Sequence, residues 1–195
     1  MNYVDNDAWR QLRGWIGKQG FTVFGTIKFT DGSIAGDARG EKIVCAYFNA
    51  LDRAYFGNAV DNVGMRHKRL VFKHFGQSGT NLHYHFLAKP STDPKLYAEL
   101  ARQQWAKMGS WTMGANDTLI EPIRNNDAAS AYVLHEYAKQ GADCICLSAS
   151  SLKSPTRNPR NYRNLAQLRR LLNLQVWGAS ENEHNADEDD ALCWI

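Results

Sequence analysis

Arg69-Leu70-Val71-Phe72-Lys73-His74-Phe75, then Gln77-Ser78-Gly79-Thr80, then Asn81-Leu82-His83-Tyr84-His85-Phe86-Leu87-Ala88 reads as two strands around a tight connection. The flanking runs are rich in aliphatic and aromatic residues, and the four residues between them carry turn chemistry. A hairpin of this kind commits its sheet to antiparallel pairing. Working outward, Phe21 to Phe29 is β-branched and aromatic and ends at the turn pair Asp31-Gly32, which predicts a central strand. Ile43, Tyr47, Leu51, Ala54 and Tyr55 recur at helical spacing, so residues 41–57 form a helix packed on the sheet.

A short helix is expected from Trp9 to Ile16 and a longer one from Asp93-Pro94 to Met108. Thr118 to Ile123 reads as an edge strand, because Pro122 has no N–H for a ladder. Asn125-Asn126-Asp127 offers cap chemistry for a helix from Ala128 to Gln140, stopped by Gly141. Cys144 to Ala149 is read as a last strand and Asn161 to Leu174 as a last helix. The class that follows is α+β, an antiparallel sheet flanked by helices.

The 195 residues and a hydrophobic fraction of 44% suit one domain with a core that needs no disulfide staple. We take residues 1–178 as that domain and 179–195 as a flexible acidic tail. The first residues are polar and acidic, unlike a secretory signal. No apolar run reaches the roughly 20 residues of a membrane span. Cys45, Cys144, Cys146 and Cys193 lack the paired spacing of a zinc or disulfide framework. Cys144 and Cys146 read as small buried side chains on one strand face, and an intracellular setting is expected.

His83 and His85 flank one residue in an apolar strand, so alternation puts both on one face and Tyr84 on the other. Two neutral imidazoles side by side suit a shared cation. His74, on the partner arm of the hairpin, is the expected third ligand. His67 sits in Arg66-His67-Lys68-Arg69, a cluster that repels cations and suits phosphate. There is no His-Glu-x-x-His helix, and Leu87 stands where a metallo-β-lactamase-like site needs Asp.

On the helix after Asn125, Tyr132, His135, Glu136 and Lys139 fall at i, i+3, i+4 and i+7 and share one polar face. Tyr137 lies beside Val133 and Leu134 and reads as core.

Three segments together resemble the HUH endonucleases, specifically the rolling-circle replication initiator (Rep) proteins of plasmids and of single-stranded DNA viruses and phages. Phe24-Gly25-Thr26-Ile27-Lys28-Phe29 resembles the family's first motif. Leu82-His83-Tyr84-His85-Phe86-Leu87 is similar to its metal motif, and Ala131-Tyr132-Val133-Leu134-His135-Glu136 to the helix of its nucleophilic tyrosine. Order and spacing agree over roughly residues 20–150. The resemblance implies a ferredoxin- or RRM-like sheet with Tyr132 as nucleophile, assisted by His135 or Lys139. It implies Mg²⁺ or Mn²⁺ at His74, His83 and His85, Mn²⁺ being favoured by all-imidazole ligation. Glu136 is a further candidate for metal ligation or acid–base work.

The implied reaction nicks and rejoins single-stranded DNA at an origin or hairpin through a 5′-phosphotyrosine and initiates rolling-circle replication. A host helicase and DNA polymerase would be partners, in a bacterial cytoplasm or at a viral replication site. Many family members carry Lys three residues after the tyrosine, where this chain has His135, and many use Glu as third ligand, where it offers His74.

Net charge is only +3, but no acid occurs from Cys144 to Ser180, and six occur from Glu181 to Asp190. Arg66, Lys68, Arg69, Lys153, Arg157, Arg160 and Arg163 are the expected phosphate contacts. Tyr84 and Trp111 are candidates for base stacking. Two other readings use the same features: a single-tyrosine HUH transposase, and a non-catalytic RRM-like module that binds nucleic acid. Phe24 and Phe29 fall on opposite faces of their strand, which counts against the module.

Overall fold

The computed structural model describes residues 6–32 and 36–153. The expected helix over Asn161–Leu174, the domain boundary at 178, the acidic tail, and Arg157, Arg160 and Arg163 lie outside the described residues.

Among the described residues the chain runs through α1 (Asn6–Gly17), β1 (Val23–Lys28), α2 (Asp37–Phe56), α3 (Ala59–Asn62), β2 (Lys68–His74) and β3 (His83–Lys89). It continues through α4 (Pro94–Ala106), β4 (Leu119–Pro122), α5 (Asn126–Val133) and α6 (Tyr137–Gln140). The protein is α+β, with a four-stranded antiparallel sheet in the order β2-β3-β1-β4 and helices on both faces. The order of the four strands, α2 and α4 is the βαββαβ arrangement of ferredoxin-like folds. β4 lies at an edge, as Pro122 requires.

Local chemistry starts the helices where the sequence placed them. The Asp93 carboxylate accepts the N–H groups of Lys95 and Leu96, and Pro94 occupies the first turn of α4. The Asn125 side chain accepts the Ala128 N–H at 3.0 Å.

Alternation along the strands separates two cores. Val23, Ile27, Val71, Tyr84 and Phe86 pack with Tyr47, Phe48, Leu51 and Trp105 of α2 and α4. On the other face Leu70, Phe72 and Leu87 pack with Ile16 of α1 and Val133 of α5. α1 and α5 are also tied by the ion pair of Arg13 with Asp127. The histidines of β2 and β3 alternate onto this second face.

Two expectations are corrected. Cys144 to Ala149 is not a ladder strand: Gly141–Cys144 forms a 3₁₀ turn, and the chain beyond it pairs with β2 through isolated bridges of Ile145 to Phe72 and Ser151 to Arg69. The two cysteines therefore do not share a strand face. Cys144 joins the α1/α5 core and Cys146 the α2/α4 core. The helix expected over 128–140 is broken into α5 and α6 at Leu134–Glu136. No helix among the described residues is long and apolar enough to cross a membrane.

Gly25 sits in the middle of β1 opposite Phe86. A Cβ there would lie 2.2 Å from the Phe86 ring, so the ring occupies the space a side chain would need. Gly25→Val should overpack the core and lower unfolding free energy by about 1–3 kcal/mol, read from chemical denaturation. An unchanged midpoint would show that the ring can swing away freely.

Candidate metal centre

Antiparallel pairing places His74 of β2 directly opposite His83 of β3. His85, two residues further along β3, faces the same side. The break in the helix after α5 delivers a fourth ring, His135. The ring centres of His74 lie 4.6 Å from His85, 5.6 Å from His83 and 4.4 Å from His135, and those of His83 and His85 are 4.9 Å apart. His74, His85 and His135 each offer a ring nitrogen, and these three atoms lie within 4.8 Å of one another. Of the expected trio, His74 and His85 belong to this group; His83 packs beside them without being part of it, and His135, expected beside the nucleophile, is its third member.

The hydrogen bonds assign the ring protons, because a carbonyl oxygen can only accept. His74 donates from Nε2 to the Val133 carbonyl at 3.0 Å. His83 donates from Nδ1 to Asn81, and His135 from Nδ1 to Tyr132, each at 2.7 Å. In the neutral ring the opposite nitrogen carries a lone pair. Nδ1 of His85 lies 2.8 Å from Oγ1 of Thr26. Nδ1 of His74 and Nε2 of His85 are buried with no hydrogen-bond partner, although buried polar atoms are normally paired. Two orphaned nitrogens in a nest of imidazoles, each with its far nitrogen anchored, are what a divalent transition ion requires of its ligands. The residues present fit such an ion.

Electrostatics keeps the three strand histidines neutral. Burial, and then the neighbouring His135, push His74 down to about 4, against a smaller opposing pull from Glu136. Burial and the surrounding imidazoles push His85 far down, and burial lowers His83. Neutral imidazole is the ligating form.

Glu136 does not face the rings as a free acid. Its two carboxylate oxygens accept the backbone N–H groups of Phe75 at 2.9 Å and Gly76 at 2.8 Å, and Gln140 also donates to it. Burial alone would raise this carboxyl. The Phe75 N–H, the His74 ring and the Gly76 N–H outweigh that and hold it below the usual range. Glu136 ties the α5–α6 turn to the exit of β2, and its Oε1 also lies 3.8 Å from Nε2 of His135.

Tyr132, in the last turn of α5, is 52% exposed. Its ring meets His85 edge-on at 5.0 Å, His135 at 5.3 Å and Phe24 at 5.6 Å. Tyr137 packs against the α1/α5 core, as expected. Lys139 is exposed on α6. The break in the helix removes the shared face that joined it to Tyr132.

The basic cluster before β2 does not present itself to a nucleic acid. Arg69 is buried, donates to Asp52 at 2.7 Å and to the Ala149 carbonyl at 2.8 Å, and lies over Phe48. Arg66 donates to the carbonyls of Val60 and Met65, and Lys68 holds Gln19. His67 is fully buried among Tyr55, Phe56 and Tyr97, and burial lowers it to about 3. The cluster also begins at the far end of β2, about 20 Å from His74 at some 3.3 Å per residue. Lys153 is exposed just beyond Ser151, which pairs with Arg69 at that same end. Tyr84 is buried in the α2/α4 core and offers no stacking face, whereas Trp111 is half-exposed with the Arg39 guanidinium 4.4 Å from its ring centre.

Thr26 escaped the sequence reading. Laying β1 against β3 would have found it, because the same alternation that pairs the histidines puts it opposite His85. Comparison with known protein families, curated proteins and solved structures returns no match for this chain.

Thr26→Val keeps the shape and removes the hydroxyl that orients His85. Mn²⁺ affinity, read by calorimetric titration, should fall about 10-fold with little change in stability, the usual effect of losing a partner behind a ligand. Unchanged affinity would show that His85 does not ligate through Nε2.

Proposed function

We propose that this protein nicks and rejoins single-stranded DNA through Tyr132, as a sequence-specific initiator of rolling-circle replication. The observation that carries the reading is an exposed tyrosine edge-on to a nest of imidazoles that leaves two nitrogens without partners. A tyrosine needed only for packing would be buried, and here two orphaned nitrogens from different strands, Nδ1 of His74 and Nε2 of His85, belong to rings gathered with His135 at one point.

His74, His85 and His135, with His83 beside them, would hold Mn²⁺ or Mg²⁺, which when bound supplies positive charge to the non-bridging oxygens of the scissile phosphate. The chain's own groups do the rest. The Tyr132 hydroxyl loses its proton to water and forms a bond to phosphorus. The bond from phosphorus to the 3′ oxygen breaks, and that oxygen takes up a proton. The 5′ end stays on Tyr132 and the 3′-OH is free for a polymerase, with a separate helicase opening the duplex. The phosphotyrosine retains the energy of the bond that was broken, so return attack by a 3′-OH rejoins the strand. His135, in contact with the Tyr132 ring and bonded to its backbone carbonyl, keeps the tyrosine at the rim of the imidazole nest.

The test is incubation of the full chain with labelled single-stranded DNA and Mn²⁺, looking for a protein–DNA adduct that survives SDS. Tyr132→Phe should fold and bind Mn²⁺ normally yet give no adduct, while Tyr137→Phe should give one. An undiminished adduct in Tyr132→Phe rules this nucleophile out.

A further inference from the structure

Lys28 is the last residue of β1 and stands directly opposite His83 on β3, just as Thr26 stands opposite His85. Opposed residues of an antiparallel pair share a face, and the 2.8 Å contact of Thr26 with His85 fixes which face that is. The Lys28 side chain is therefore on the imidazole side of the sheet, at its open end, and it is exposed. Its positive charge acts on both His83 and His85, which agrees with that placement. The strand end is held firmly: the Lys28 carbonyl accepts the Met113 N–H at 3.2 Å and the Trp105 indole N–H at 3.1 Å.

Lys28 takes part in none of the ion pairs among the described residues. Glu136, the carboxylate closest in sequence to the nucleophile, accepts from two backbone N–H groups and lies 3.8 Å from Nε2 of His135, and forms no ion pair with Lys28. Arg66, Lys68 and Arg69 are engaged elsewhere, and Lys139 lies beyond the break in the helix. The imidazole face thus carries, among the described residues, an ammonium outside any ion pair on one side and the Tyr132 ring on the other, with the His85 ring against that of Tyr132. That combination suits a phosphodiester lying across the rings.

We propose that Lys28 binds the phosphate on which Tyr132 acts, donating to a non-bridging oxygen and compensating the charge that builds there. This rests on the function proposed above and adds to it the residue that supplies the site's fixed positive charge. Lysine suits the task as a point charge on a flexible stem.

The experiment uses the full chain with a fluorescein-labelled single-stranded oligonucleotide and Mn²⁺. Anisotropy over a salt series gives affinity and its salt slope, and the SDS-stable adduct gives the rate at saturating DNA. Lys42→Gln, an exposed lysine on α2 across the sheet, controls for net charge alone. Lys28→Gln should weaken binding several-fold, flatten the salt slope by about 0.7, the share of one phosphate contact on a single strand, and slow the adduct at least about 10-fold. Lys28→Arg should restore most of both, and Lys42→Gln should match the unsubstituted chain. If Lys28→Gln behaves like Lys42→Gln while the Tyr132-dependent adduct still forms, the Lys28 assignment is overturned and the proposed function stands. If the unsubstituted chain neither binds the oligonucleotide nor forms the adduct, both fall together.

Discussion

The carboxylate of Glu136, gripping the N–H groups of Phe75 and Gly76, is the contact on which the arrangement of the site depends. Those two groups leave the sheet at the end of β2, where no further strand takes them. A buried carboxylate satisfied by backbone donors is held far more strongly than a surface one. Reaching them obliges the chain to stop its helix at Val133 and wind tighter through Leu134 to Glu136, with the N–H of His135 bonding Tyr132 and that of Tyr137 bonding Leu134. Stopping there frees the carbonyls that a continuous helix would have used internally. Val133 spends its carbonyl on the His74 ring, and the Tyr132 carbonyl takes the His135 ring alongside the His135 N–H. The break thus creates the acceptors that fix two tautomers, and it brings a fourth imidazole to the sheet.

Four imidazoles in so small a volume would repel one another if charged. Burial and mutual repulsion instead hold the buried ones neutral near physiological pH. Neutrality is not free of cost, because each ring must still satisfy two nitrogens. The chain supplies one partner per ring, from Val133, Asn81, Tyr132 and Thr26, and leaves the converging nitrogens for something it does not itself contain. The contrast with Asp52 and Arg69 is instructive. There a buried charge pair is closed by the His67 backbone N–H and the Ala149 carbonyl, and the nearby His67 ring stands alone among aromatic side chains with no second imidazole beside it.

The fold was largely legible because its signals are local. Turn chemistry at 77–80, alternation along Leu82–Leu87, the Asp93 and Asn125 caps and Pro122 each point to one answer, and together they leave little room for another sheet. His74 was legible for the same reason, since a hairpin with known ends pairs it with His83. What the sequence hid depends on contacts between distant residues. Residues 128–140 carry helix-compatible residues throughout, and only the pull of Glu136 on a strand some 60 residues away breaks them. The basic run at 66–69 looks like a phosphate site until Asp52, fifteen residues earlier, is placed beneath it. Cys144 and Cys146 seemed to share a face because alternation was assumed where a 3₁₀ turn intervenes.

The same alternation that makes β3 readable also makes its register critical. His83, Tyr84, His85 and Phe86 change faces at every step, so a slip of one residue would drive two imidazoles into the α2/α4 core and turn two aromatic rings toward the site. Buried there without acceptors, each ring would carry an unmet hydrogen-bonding requirement. Two neighbouring pairs on β1 oppose the slip from opposite sides. Gly25 leaves space for the Phe86 ring on one face, and Thr26 meets the His85 nitrogen on the other. Steric fit and hydrogen bonding thus specify one register together. The chemistry proposed for this face needs that agreement, because imidazoles on two strands converge only when both strands keep their pairing.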